Sequence, residues 1–189
     1  MDFMKRNYGL ILKTFLYQVV MSLFGFMMYG AIRTIPLLSV VGAATIILFF
    51  LFIMGSQMYQ KAAKNCEFDR AHGTKSSPLA GFLLALLGFI PAILVSLYGF
   101  VFPPYNADGT AAHATPFLLN KTFLQGMYIS VVQALFKTTS QGASATVAAE
   151  NALALNGQAR LFLFTSLPGI ITSGIGYLMG YRSFLKEKK

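Results

Sequence analysis

The sequence predicts an all-α membrane protein: four transmembrane helices, N- and C-termini both cytoplasmic, and one or two amphipathic helices in the outer segment between spans 3 and 4. Three observations carry this expectation. Four stretches hold no charged residue at all, 19 residues between Lys13 and Arg33, 27 between Arg33 and Lys61, 32 between Lys75 and Asp108, and 21 between Arg160 and Arg182. At ~1.5 Å of rise per residue, each is long enough for a helix to cross a hydrocarbon core of ~30 Å. Composition agrees, with 56% hydrophobic and only 11% charged residues, where soluble chains carry roughly a quarter charged. The third observation is where the cations fall.

Span 1 is placed at about 14–32. It follows Lys5, Arg6 and Lys13 as a signal peptide would, yet its run is long, rich in Phe and Met, and lacks a small-residue cleavage site, so an uncleaved helix is expected. The connection from Arg33 to Pro36 permits only a tight hairpin, and Pro36 suits the first turn of span 2, at 36–59. A polar connection over 60–78 then leads through Gly73-Thr74-Lys75-Ser76-Ser77-Pro78 into span 3 at 79–102. These spans and their connections use most of the 189 residues, so one membrane domain over 1–189 is expected.

The outer segment, 103–160, opens with Pro103-Pro104-Tyr105-Asn106-Ala107-Asp108-Gly109, a turn-rich stretch. Phe123, Leu124, Met127, Tyr128, Val131, Val132, Leu135 and Phe136 then recur as pairs every four residues. Lys121, Gln125, Gln133 and Lys137 stand outside that stripe, which reads as an amphipathic helix. A second, Ala-rich helix is expected over 143–155, closed by Asn156-Gly157. This pair of helices is read as interfacial, with a re-entrant hairpin or a partner-docking helix as its rivals. Span 4 follows at 161–181. With the N-terminus inside, eleven cations face the cytoplasm: Lys5, Arg6, Lys13, Lys61, Lys64, Arg70, Lys75, Arg182, Lys186, Lys188 and Lys189. Arg33, Lys121, Lys137 and Arg160 are the four left outside. A fifth span at 116–136 would reduce that bias to nine against six, so the four-span arrangement is preferred. The bias and the Lys-rich tail point to a multi-pass protein of a bacterial cytoplasmic membrane.

Two stripes of small residues suggest how spans meet. Gly81, Ala85, Gly88, Ala92, Ser96 and Gly99 lie along one face of span 3, and Ser166, Gly169, Ser173, Gly176 and Gly180 along one face of span 4. Small residues let helices approach closely where lipid removes the hydrophobic incentive, so spans 3 and 4 are expected to pack face to face. The stretches beginning at Pro91 and at Pro168 are faintly alike, which is read as a shared packing demand, with an inverted repeat of the transporter kind as the lesser alternative.

No ionisable residue falls inside a span, which disfavours proton relays. There is no phosphate loop, zinc-binding HExxH pair or nucleophile elbow, so no catalytic residue, cofactor or metal ligand is assigned. The +9 charge has a membrane explanation, and no nucleic-acid partner is expected. Cys66 is the single cysteine, so no internal disulfide can form. Lys61, Lys64, Arg70 and Lys75, among Cys66, Glu67, Asp69 and His72, are candidate contacts for anionic lipid headgroups at the cytoplasmic face. His113 has no evident companion, Glu150 suits a surface pair with Lys137 or Arg160, and Asn120-Lys121-Thr122 matches a glycosylation acceptor. The expectation is a non-catalytic accessory or structural subunit of a homo-oligomer or larger membrane complex. A channel or transporter component with re-entrant outer helices is the alternative, and a lipid-modifying enzyme the third.

Overall fold

A computed structural model describes residues 2–74, 77–136 and 145–186. Regular structure among them is helical, and the sole bridge of strand type pairs Tyr105 with Ala111. In chain order the helices are α1 (Asp2–Ile32), α2 (Pro36–Ala71), α3 (Ala80–Val101), α4 (Ala114–Leu119), α5 (Ile129–Leu135), α6 (Ala145–Leu161) and α7 (Leu167–Lys186). A π-helical turn, Asn120–Leu124, and a 3₁₀ turn, Gly126–Tyr128, join α4 to α5. Three helices among the described residues are long and apolar enough to cross a membrane: Met4–Ile32, Leu37–Ala71 and Ala80–Val101. The 20-residue α7 is not among them: every 18-residue stretch of it takes in Arg182, and Gly, Ser and Thr dilute the rest.

Three expected boundaries move, the third being the start of span 4, expected at 161 and found at Leu167. The polar connection expected to begin at residue 60 is instead a helix as far as Ala71. Its polar sequence hides a face: Ala62, Asn65, Cys66 and Asp69 are all buried and follow helical spacing. α2 then stops on Gly73, whose φ of 66° is open to glycine at little cost. The N–H of Thr74 reaches the carbonyl of Asp69 and that of Gly73 the carbonyl of Arg70, which together close the helix end. The second shift lies in the outer segment, where Asn156-Gly157 does not end α6, which runs to Leu161. Asn156 instead turns its side-chain amide on Tyr105, accepting from that residue's N–H at 3.1 Å and donating to its carbonyl at 2.9 Å. Residues 162–166 form turns, so α7 starts at Leu167, with Pro168 in its first turn where no donor is needed. Pro91, by contrast, sits inside α3, so the two proline stretches occupy different places in their helices.

The chain divides into two compact units. The first comprises Met1–Tyr17, Leu48–Phe89 and Leu167–Lys189. Phe50, Met54, Met58, Leu84, Phe89 and Tyr177 are fully buried within it, and the rings of Phe50 and Phe89 meet edge to face at 6.2 Å. A methyl group added at Gly81 would strike Tyr177, one at Gly169 would strike the Phe89 ring, and one at Gly88 would strike Thr14. Added methyls at Gly176 and Gly180 would fall on the backbone carbonyls of Gly55 and Tyr59.

The second unit comprises Gln18–Ile47 and Ile90–Ser166. Its buried apolar side chains include Phe117, Met127, Ile129, Val132 and Phe162. The loop before α4 is tied by the Tyr105 bridge, by the N–H of Asn106 on the carbonyl of Thr110 at 2.9 Å, and by Gly109 at φ 86°. Asp108 accepts from both the N–H and the hydroxyl of Thr110, and these bonds hold its carboxyl below the usual range.

Candidate functional site

The second unit contains a buried polar hub built around the break between the π turn and the 3₁₀ turn. The N–H of Gln125 bonds the carbonyl of Asn120 at 2.8 Å, the five-residue closure of a π turn, and Gln125 itself leaves helical geometry at φ −138°, ψ 22°. Such turns recur where a helix is bent to serve a site. The side chain of Gln125 is fully buried. Its Nε2 donates to Ser166 Oγ at 3.0 Å and to Ser96 Oγ at 3.2 Å, and its Oε1 accepts from the Thr165 hydroxyl. Asn120 Nδ2 donates to the same Ser96 oxygen at 2.8 Å, and Ser96 donates to the carbonyl of Phe162 at 3.4 Å. Further along, Ser39 donates to Ser130 at 2.8 Å, both buried. The helix α3, the broken segment and the turn before α7 thus each contribute one corner.

The broken segment is seated by glycine. A methyl at Gly25 of α1 would strike the Met127 backbone, and one at Gly126 would strike the carbonyl of Ser22. Beside this contact, α1 presents Gln18 and Ser22, both fully buried and one helical turn apart. Gln18 Nε2 and Oε1, Ser22 Oγ, Asn120 Oδ1 and the Tyr128 hydroxyl have no hydrogen-bond partner in the protein. A buried polar atom left unmatched costs about 1–3 kcal/mol, so these five, all in the second unit, call for an explanation.

Residues singled out from sequence fall in several places. Ser96 and Ser166 join the hub, whereas Gly99 faces Ala159 on α6. Ala85 and Ala92 are buried on α3. In the first unit Gly81 meets Ser173 and Tyr177 of α7, while Gly88 turns to α1 and Gly176 and Gly180 turn to α2. Each stripe therefore serves more than one neighbour.

The expected amphipathic stripe does not lie on one straight helix. Leu124, Met127, Tyr128 and Val132 are buried, Val131 is half-buried, and Phe123, Leu135 and Phe136 are exposed. Gln125, expected on the polar face, is at the centre of the hub because the π turn and the break shift the helical phase. Asn120, within the glycosylation match, is also buried, and its Nδ2 is committed to Ser96.

Among the cationic residues, Lys61 and Lys64 line a concavity in the first unit with Arg6 and Lys13. Arg70 is exposed, and Lys75 lies outside the described residues, as does Lys137. Glu150 is exposed. Asp69 pairs with Arg6, whose guanidinium also lies over the Phe68 ring at 4.7 Å, and Thr74 donates to the same carboxylate at 3.0 Å. Asn65 donates to Asn7 at 3.3 Å and to the Tyr177 hydroxyl at 3.0 Å. His113 has company after all: its Nδ1 lies 3.1 Å from the Tyr98 hydroxyl, with Phe102 alongside.

The hydrogen-bonded groups of the hub are amides and aliphatic hydroxyls, which can hydrogen-bond a neutral solute or offer oxygens to a cation. Gln18, Ser22 and Gln125 were the functional candidates that sequence reasoning passed over. Their signal was polar residues four apart, followed by Gly25, within a charge-free run, and the pair Gln125-Gly126 amid an apolar stripe.

No family model, curated protein or solved structure matches the chain. The described residues define an all-helical protein with three apolar helices of membrane-crossing length, fitting a membrane-embedded protein.

Proposed function

We propose that this is a four-span membrane protein, both termini cytoplasmic, acting as a non-catalytic component of a channel or transporter assembly. In this reading the segment 114–135 re-enters the bilayer from the outer side. Ser22 lies ten residues before the end of α1, or roughly 15 Å along the helix, whereas Ser39 is three residues into α2. The segment touches Ser22 through Gly126 and Ser39 through Ser130, so it reaches about half depth and returns. Irregular backbone at such depth is tolerated only where protein or a polar cavity covers it. Broken helices of this kind supply polar groups to solute sites in transporters. The observation that carries the reading is Gln18, a buried amide with both its ends unmatched. Small neutral hydrogen-bonding solutes or weakly hydrated monovalent cations are the substrates such a lining suits.

A second reading, an accessory subunit with no pathway of its own, draws support from the exposed stripe Leu12, Leu16, Val20, Phe24 and Met27 on α1, a face suited to lipid or a neighbouring helix. One experiment separates the two. Single cysteines replace Ser22, Gln125, Ser130, Phe123 and Leu135 in a Cys66→Ala background, in membranes, and are challenged with a membrane-impermeant thiol reagent. Labelling at 22, 125 and 130, with positions 123 and 135 protected by lipid, is the expected pattern. Protection of 22, 125 and 130 alike would remove the pathway and leave the accessory subunit.

A further inference from the structure

We propose that the concavity formed by α1 and α2 within the first unit is a binding site for a phosphate-bearing anion. Its volume is about 280 Å³, and Arg6 and Lys13 from α1 face Gln57, Gln60, Lys61 and Lys64 from α2 across it. Gly9 and Leu10 complete the lining, so no acidic side chain is among the eight residues. Arg6 acts mainly as a fixture: its guanidinium is committed to Asp69 and Phe68, and its carbonyl accepts from Lys61 Nζ at 3.4 Å. That contact orients the Lys61 ammonium and leaves it further hydrogens to give, since an ammonium carries three donors. Lys13 and Lys64 are exposed at the rim, free to swing inward. Three ammonium groups and two carboxamides around one hollow match the several acceptor oxygens and the negative charge of a phosphate.

Lys61 is half-buried among these cations, and a bound anion would relieve the repulsion between them. Position favours a lipid source: the site spans residues 57–64, where the charge-free run of α2 gives way to its first lysine, the level at which headgroups lie. That last step rests on the membrane placement proposed above. The anion chemistry does not, because it follows from the lining alone, and free inorganic phosphate shares it.

The test compares wild type with a Lys61→Gln/Lys64→Gln pair and with a surface control of equal charge loss, Arg182→Gln/Lys186→Gln. Native mass spectrometry is run on protein released from phosphatidylcholine nanodiscs with and without phosphatidylglycerol, and thermal unfolding in detergent is followed with and without inorganic phosphate. Wild type and control are expected to retain phosphatidylglycerol, and the pocket pair to retain about tenfold less. Stabilisation by inorganic phosphate without lipid retention, lost in the pocket pair, would assign the site to a soluble phosphate. Wild type indifferent to both anions, or a pocket pair that matches it, overturns the proposal. Should the pair fail to fold, Lys13→Gln at the exposed rim serves, with partial loss expected and full retention counting against the site. A protein that binds the anion but shows no labelling at residues 22, 125 and 130 would lose the pathway reading and keep this one.

Discussion

Two glutamines in the second unit show how differently one side chain can be used. Gln125 is satisfied at both ends by Ser96, Ser166 and Thr165, whereas Gln18 is buried with neither end matched. Replacing each by Met keeps the volume and removes the amide. Gln125→Met removes three hydrogen bonds, with Ser96 and Thr165 keeping theirs to the Phe162 carbonyl, and is expected to destabilise by about 2 kcal/mol, taking membrane hydrogen bonds at ~0.6 kcal/mol each plus the cost of an unmatched Ser166. Gln18→Met removes only an unmatched group, so stability is expected to hold or rise while solute flux falls. Unfolding in mixed micelles measures both variants. Equal losses would mean that Gln18 has structural work in the fold and is no longer a candidate for meeting solute. None of this contrast was legible in the sequence, because hydrogen-bond satisfaction depends on which segments meet.

At the scale of elements, backbone approach rather than side-chain bulk sets the packing of α2 against α7. An added side chain at Gly176 would fall on the Gly55 carbonyl, an atom that cannot swing away. Gly176→Leu is expected to cost at least the 1–3 kcal/mol typical of overpacking. Gly30, with nothing near its missing methyl, offers the comparison: Gly30→Ala should gain about 0.5–1 kcal/mol from helix propensity. Thermal unfolding in detergent reads both, and a Gly176→Leu variant as stable as the parent would disprove the close approach. The long apolar helices were readable because charge-free runs and Pro or Gly at their ends speak a local language. The tail of α2 was not, since Lys61, Lys64 and Glu67 mask the buried face of Ala62, Asn65, Cys66 and Asp69. The outer stripe showed a helical period but not its interruption, because Gln and Gly fit a straight helix as readily as a broken one. What forces the break is distant in sequence: Gly25, Ser22 and Ser96.

For the whole molecule, the proposed arrangement distributes the +9 charge so that most cations stay on the cytoplasmic side. It also makes a test simple. Green fluorescent protein fused after Lys189 should fluoresce, and alkaline phosphatase inserted near Thr34 or Asp108 should be active while an insertion near Thr74 is not. Phosphatase activity at the C-terminal fusion would require an odd number of crossings, three if α7 does not cross or five if 116–136 does. The fate of Asn120 has a bearing on how the chain is produced. Its amide nitrogen is the atom a glycosyltransferase would modify, and in the folded protein it is buried and bonded to Ser96. With the segment on the outer side, as proposed, sugar transfer and docking of the segment compete for one atom during synthesis in a glycosylating host. Whichever happens first excludes the other, and a chain that acquires the glycan cannot close its polar hub.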